Sequence, residues 1–261
     1  MPNGLREVGR TFFNLHQIGH LFPTLLEVGL LNTLLLSAGA IVLGMVLGMI
    51  IALGLIARSP VLRTPARIYV DVFRGLPIIL TIYLVGQGLP IAGIRFLGSS
   101  AYPYAILALG LVAAAFISEV FRSGIESVER GQMEAARGLG LSYLAAMRLV
   151  VVPQGVRRVL PALANQFVAM VKDSSLVYLL GLSIGQRELF SIAQDATSQT
   201  GNLSPMVAAG IIYLAITVPL THLVNRLDRR LREGRPADVT RGDREEPARQ
   251  LGPVNLSVSG E

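Results

Sequence analysis

Long stretches without a charged side chain constrain this sequence more than any other feature. No Asp, Glu, Lys or Arg occurs from Val28 to Ala57, from Gly75 to Ile94, from Phe96 to Ser118 or from Ala196 to Asn225. A helix that crosses a bilayer needs ~20 mostly apolar residues, and each of these runs is long enough. A fifth run, Val159 to Gln186, is interrupted only by the adjacent pair Lys172 and Asp173. The pattern predicts an all-α membrane protein with about five transmembrane helices. Composition agrees, because only 15% of the 261 residues are charged, against ~25% in a soluble domain. The first run begins too far into the chain and is too long for a signal-peptide core of ~7–15 residues, so it is read as a retained span. Within it Ala40, Gly44, Gly48 and Ala52 recur at every fourth position, a stripe of small residues that lets another helix come close.

The chain has no Cys, which excludes disulfide scaffolds, thiol catalysis and cysteine zinc clusters. Its three His argue against a histidine-built metal site. The net charge of +6 points to cytoplasmic loops rather than nucleic acid, because the basic residues segregate. Arg58, Arg63, Arg67 and Arg74 follow the first run, Arg122 to Arg158 the third, and Arg226 to Arg249 the last. This places the N-terminus outside and the C-terminus in the cytoplasm. Three parts follow: an extracytoplasmic or interfacial segment (1–26), a transmembrane domain (27–227) and a cytoplasmic, disordered tail (228–261).

Between the third and fourth spans lies a cytoplasmic segment, 122–158. Gly131 to Leu139 reads as a short helix. Gly140 suits a left-handed stop, Ser142 a cap for a second helix, and Pro153 a break or kink near Val152. Helix, sharp turn and helix make a rigid knob fit to dock into a groove on a cytoplasmic partner.

The knob carries Glu134-Ala135-Ala136, then Gly140, then Val150-Val151-Val152-Pro153. This resembles the EAA loop of ABC importer permeases, with Val replacing Ile and Leu in the last element. Phe73-Arg74-Gly75-Leu76-Pro77, Ser118-Glu119-Val120-Phe121-Arg122-Ser123-Gly124-Ile125, Pro161, Asn165 and Lys172-Asp173-Ser174-Ser175-Leu176 are similar to the polar amino acid branch, the histidine, arginine and glutamine permeases. The similarity covers roughly 29–227. It implies a type I ABC importer permease fold in a bacterial inner membrane, with transport of a polar amino acid or close analogue. It also implies a second permease copy or relative, an ATPase dimer binding ATP and Mg, and an extracytoplasmic binding protein. No cofactor is expected in this chain. A phosphate-cradling loop needs Gly-x-x-x-x-Gly-Lys-Ser/Thr, and the only Lys, Lys172, follows Val171.

Charges inside spans are functional candidates. Glu119 either faces an aqueous path or pairs with Arg122 one turn on, and the ready partner favours the pair. Lys172 and Asp173 point ~100° apart on a helix, so each needs a separate partner. They contact substrate, pin or gate helices, or mark a break in the fourth span. The resemblance adds Ser174 and Asn165 to the candidate path. Asp71 and Arg74 read as a salt-bridged helix start. A secondary transporter or channel would also carry intramembrane charges, but would show inverted repeats and leave the knob without a task. A non-transporting scaffold would rely on the basic tail.

Overall fold

The computed structural model describes residues 2–233, and every regular element among them is helical. The predicted disordered tail lies outside the described residues from 234 onward, while its first part continues the last helix to Glu233.

Helix α1 (Pro2–Phe12) is followed by α2 (Leu15–Thr24), which continues through a π-turn at Leu25–Leu30 into α3 (Leu31–Leu55). Pro23 lies inside α2 and has no N–H for the helical ladder, and the wider turn begins two residues later. Helix α4 (Pro60–Gly75) meets α5 (Ile78–Ile91) at 109°. Pro77 accounts for the bend. It disfavours the helical conformation at Leu76, which is extended at ψ 139. Helix α6 (Ala101–Glu126) leads into the short helices α7 (Arg130–Gly138) and α8 (Tyr143–Ala146). A π-turn at Met147–Val151 joins α8 to α9 (Val152–Asp173). After the 3-10 turns Ser174–Leu180 and Ile184–Gln186 come α10 (Leu189–Thr200) and α11 (Ser204–Glu233).

Three helical stretches among the described residues are long and apolar enough to cross a membrane, or four if the bent pair counts as one span. The predicted runs map onto helices with two corrections. The run Val159–Gln186 is not one helix: α-helix ends at Asp173 and the backbone tightens into a 3-10 turn. At 22 residues α9 is ~33 Å long, but Arg157, Arg158, Lys172 and Asp173 make it more polar than the other spans. The run Ala196–Asn225 is divided, because Gly201 adopts φ +65 and donates its N–H to Thr197 O at 2.8 Å, ending α10.

The small-residue stripe of α3 packs against α6 as its spacing predicts. Ala40 and Ala52 are fully buried. A Cβ on Gly44 would lie 2.7 Å from the Ala113 Cβ, and one on Gly48 would lie 3.1 Å from the Ala114 carbonyl oxygen. Such near-contact of backbones maximises dispersion between helices where lipid supplies no hydrophobic drive. A second close crossing joins α6 to α9, where a Cβ on Gly155 would sit 2.8 Å from the Ile125 Cα. The N-terminal helices are pinned at one end. The Leu203 N–H donates to Thr11 O at 2.9 Å, and the Asn14 N–H to Ser204 Oγ at 2.8 Å.

Candidate coupling knob and translocation path

The knob is built as its residues dictate. Helix α7 closes in a Schellman turn: Leu141 N–H donates to Ala136 O at 3.3 Å, and Gly140 N–H to Arg137 O at 3.0 Å. Gly140 has φ +87, a conformation that side chains with a Cβ resist. Ser142 Oγ accepts the Ala145 N–H at 3.2 Å and caps α8. Pro153 does not end the second helix. The π-turn just before it lets the helix run on from the knob into α9.

The EAA residues divide between two faces. Glu134 and Ala135 are exposed, as are Gly140, Leu139 and Leu144. Ala136 is buried, so its small size serves packing within the chain rather than an outer contact. Beneath it Ile125, Val128 and Val151 form a cluster joined by Ile56, Met133 and Met147. Arg58 stacks on the Tyr143 ring at 5.1 Å. Arg158 donates to the Ser127 carbonyl at the end of α6, and Gln154 Nε2 donates to Gln132 Oε1 at 3.2 Å. The knob is thus braced to α3, α6 and α9, and its outer face holds Leu139 and Leu144 in solvent.

The path candidates do not converge on one pocket. Arg122 Nη2 lies 2.6 Å from Glu119 Oε2, and its Nη1 lies 2.6 Å from Glu126 Oε2. One guanidinium therefore joins three residues along α6. Asn165 lines a cavity of about 210 Å³ with Arg158, Asn225 and Asp228, where α9 meets α11. Lys172 and Asp173 lie seven and eight residues beyond Asn165, ~10–12 Å along the helix. Lys172 is exposed on the single chain, Asp173 is half-buried, and neither forms a salt bridge among the described residues. Ser174 is fully buried and donates to Val171 O at 2.8 Å, closing the last turn of α9. The expected pair Asp71–Arg74 does not form; Arg74 lies over the Phe116 ring at 5.4 Å instead.

A polar group that the sequence reading missed holds the irregular segment after α9. Asn32 Nδ2 donates to Gly185 O at 3.0 Å and to Arg187 O at 3.1 Å. Gln87 Nε2 donates to Leu179 O at 2.9 Å. Glu188 is fully buried and accepts from Phe190, Ser191 and Tyr213. The available signals were Asn32 and Thr33 inside an apolar run, and Glu188 two residues past the end of another.

Residues 44–233 match the family described as "Binding-protein-dependent transport system inner membrane component". The chain belongs to that family. Among this permease's relatives, the arginine transport system permease protein ArtQ of Bacillus subtilis is 32% identical over 193 residues, 73% of this chain and 85% of ArtQ. The probable glutamine ABC transporter permease protein GlnM of the same organism is 36% identical over 186 residues, 71% of this chain and 83% of GlnM. Among solved structures, an amino acid ABC transporter with histidines superposes with a TM-score of 0.70 at 31% identity, covering 81% of this permease and 95% of that chain. The inward-facing MetNI methionine ABC transporter shares the fold at a TM-score of 0.66 and 21% identity, over 79% of this permease and 96% of that chain. The permease is therefore a multi-pass membrane component of an ABC importer for amino acids.

Proposed function

We propose that this permease forms the path for a polar amino acid or close analogue in a bacterial inner membrane. A separate ATPase dimer docks on Glu134, Ala135 and Gly140, and an extracytoplasmic binding protein delivers the substrate. A second permease copy or relative completes the path. The N-terminus is outside and the tail cytoplasmic, in line with the basic residues that follow the first, third and last spans. The observation that carries the reading is the braced knob, with a positive-φ Gly140 and exposed Leu139 and Leu144, on a continuous helix into the membrane domain. ATP binding would close the ATPase dimer, and α9 would carry that movement inward, shifting the population between inward- and outward-facing states. No ATP is hydrolysed by this chain. Glu119 braces α6 through Arg122 and Glu126, while Lys172 and Asp173 act as structural or gating charges that meet the partner permease or the aqueous path.

The test is uptake of labelled arginine, glutamine and histidine by cells holding the full complex, with ion gradients collapsed by a protonophore and ATP maintained. Uptake of at least one amino acid should persist and should be lost with Glu134→Arg. Uptake that stops with the gradient and ignores Glu134→Arg would establish a secondary transporter.

A further inference from the structure

Between α9 and α10 the backbone leaves the α-helix for fifteen residues, and inside a bilayer such backbone needs partners within the protein. One side is held by α3 and α5. Asn32 and Gln87 donate to its carbonyls, and Thr33 Oγ1 accepts the Leu189 N–H at 3.2 Å. The other side is held by the ion pair of Arg187 with Asp195 of α10 at 2.6 Å and by Glu188. Glu188 Oε1 accepts from Ser191 N–H at 2.6 Å and Ser191 Oγ at 2.5 Å, and its Oε2 from Phe190 N–H at 2.6 Å and Tyr213 Oη at 3.0 Å.

Capping α10 alone does not require this residue. Ser, Thr, Asp or Asn caps a helix at less cost than a fully buried glutamate. The longer side chain also reaches Tyr213 on α11 and so ties a separate span to the segment. Tyr178 of the 3-10 turn packs edge-on against Phe190 at 5.1 Å, just beside this junction. At the opposite end α9 runs directly into the knob. Knob, α9, irregular segment, Glu188 and α11 thus form one continuous mechanical path. Gly181, Ser183, Ile184 and Gly185 lie exposed at the apex of the segment, beside Asn32 near the start of α3.

We propose that Glu188 is the positioning residue of the outer gate: its carboxylate locks the segment 174–187 to α10 and α11, so that movement of α9 closes or opens the path on the side away from the ATPase. The inference rests on the importer reading above.

The chain has no Cys, so Ile184→Cys provides a single site on this chain for a membrane-impermeant maleimide, read from the permease band of the full complex reconstituted with its ATPase and binding protein. In this parent the labelling rate should change several-fold between the ATP-free and vanadate-trapped states. With Glu188→Gln added, the two rates should become equal. Uptake should drop ~tenfold while ATP turnover per assembled complex is kept. Tyr213→Phe removes one hydroxyl and should narrow the labelling difference without altering the melting temperature. A state-dependent rate that survives in both variants would overturn the proposal. So would a loss of uptake and ATP turnover in equal proportion, which marks a merely structural residue. A parent with no ATP-dependent uptake would overturn the importer reading itself, and the gate with it.

Discussion

Two glycines near the knob carry different constraints, and their substitutions should fail in different ways. At Gly140 a Cβ meets nothing within 4 Å, so the cost is backbone conformation alone, ~1–2 kcal/mol at a left-handed position. Gly140→Val should tilt the knob and abolish uptake while the protein still inserts, and Gly140→Asn, which tolerates positive φ, should retain more activity. Uptake assays with matched membrane levels check this ordering, and normal uptake by Gly140→Val contradicts the docking geometry. At Gly155 the obstacle is Ile125 backbone at 2.8 Å, which cannot rotate away. Gly155→Ala should therefore lower the melting temperature of the detergent-solubilised chain, by an overpacking cost of ~1–3 kcal/mol. An unchanged melting temperature would show that α6 and α9 separate freely at this crossing. Gly140 was readable from the motif, as was the pairing of Glu119 with Arg122. Gly155 was not, because its partner is thirty residues away and no local pattern marks a helix crossing.

At the scale of elements, apolar run length located the long apolar helices, and a break at Lys172 and Asp173 was one of the readings left open, but what holds that break and the division at Gly201 were hidden. The break after Asp173 needs Asn32, Thr33, Gln87 and Glu188 to satisfy the exposed backbone, and these lie on α3, α5 and beyond the run itself. Hydropathy averages over such long-range partners. Gly201 escaped notice for a related reason: an uncharged glycine lowers hydropathy too little to divide a run. The α3 stripe was readable because its every-fourth-residue spacing is a local property. Its packing makes a prediction for the element pair. Gly48→Leu should force α3 from α6 at Ile117 and the Ala114 carbonyl, whereas Gly19→Leu, where a Cβ meets nothing within 4 Å, should be tolerated. Folded yield by size-exclusion chromatography separates the two, and equal yields would contradict the close packing.

For the whole molecule, the central claim is that a braced knob joins this membrane domain to an engine on another chain. The exposed Leu139 and Leu144 and the buried Ala136 give the knob one face for its own domain and one for a partner. The cytoplasmic placement proposed for it is in line with the segregation of basic residues. The most direct measurement is extraction of the native complex in mild detergent, with identification of every chain that co-purifies with this one. The account predicts an ATPase subunit that is lost with Glu134→Arg while the permease remains folded. A permease that purifies without any ATPase, under conditions that keep other ABC complexes whole, would contradict it.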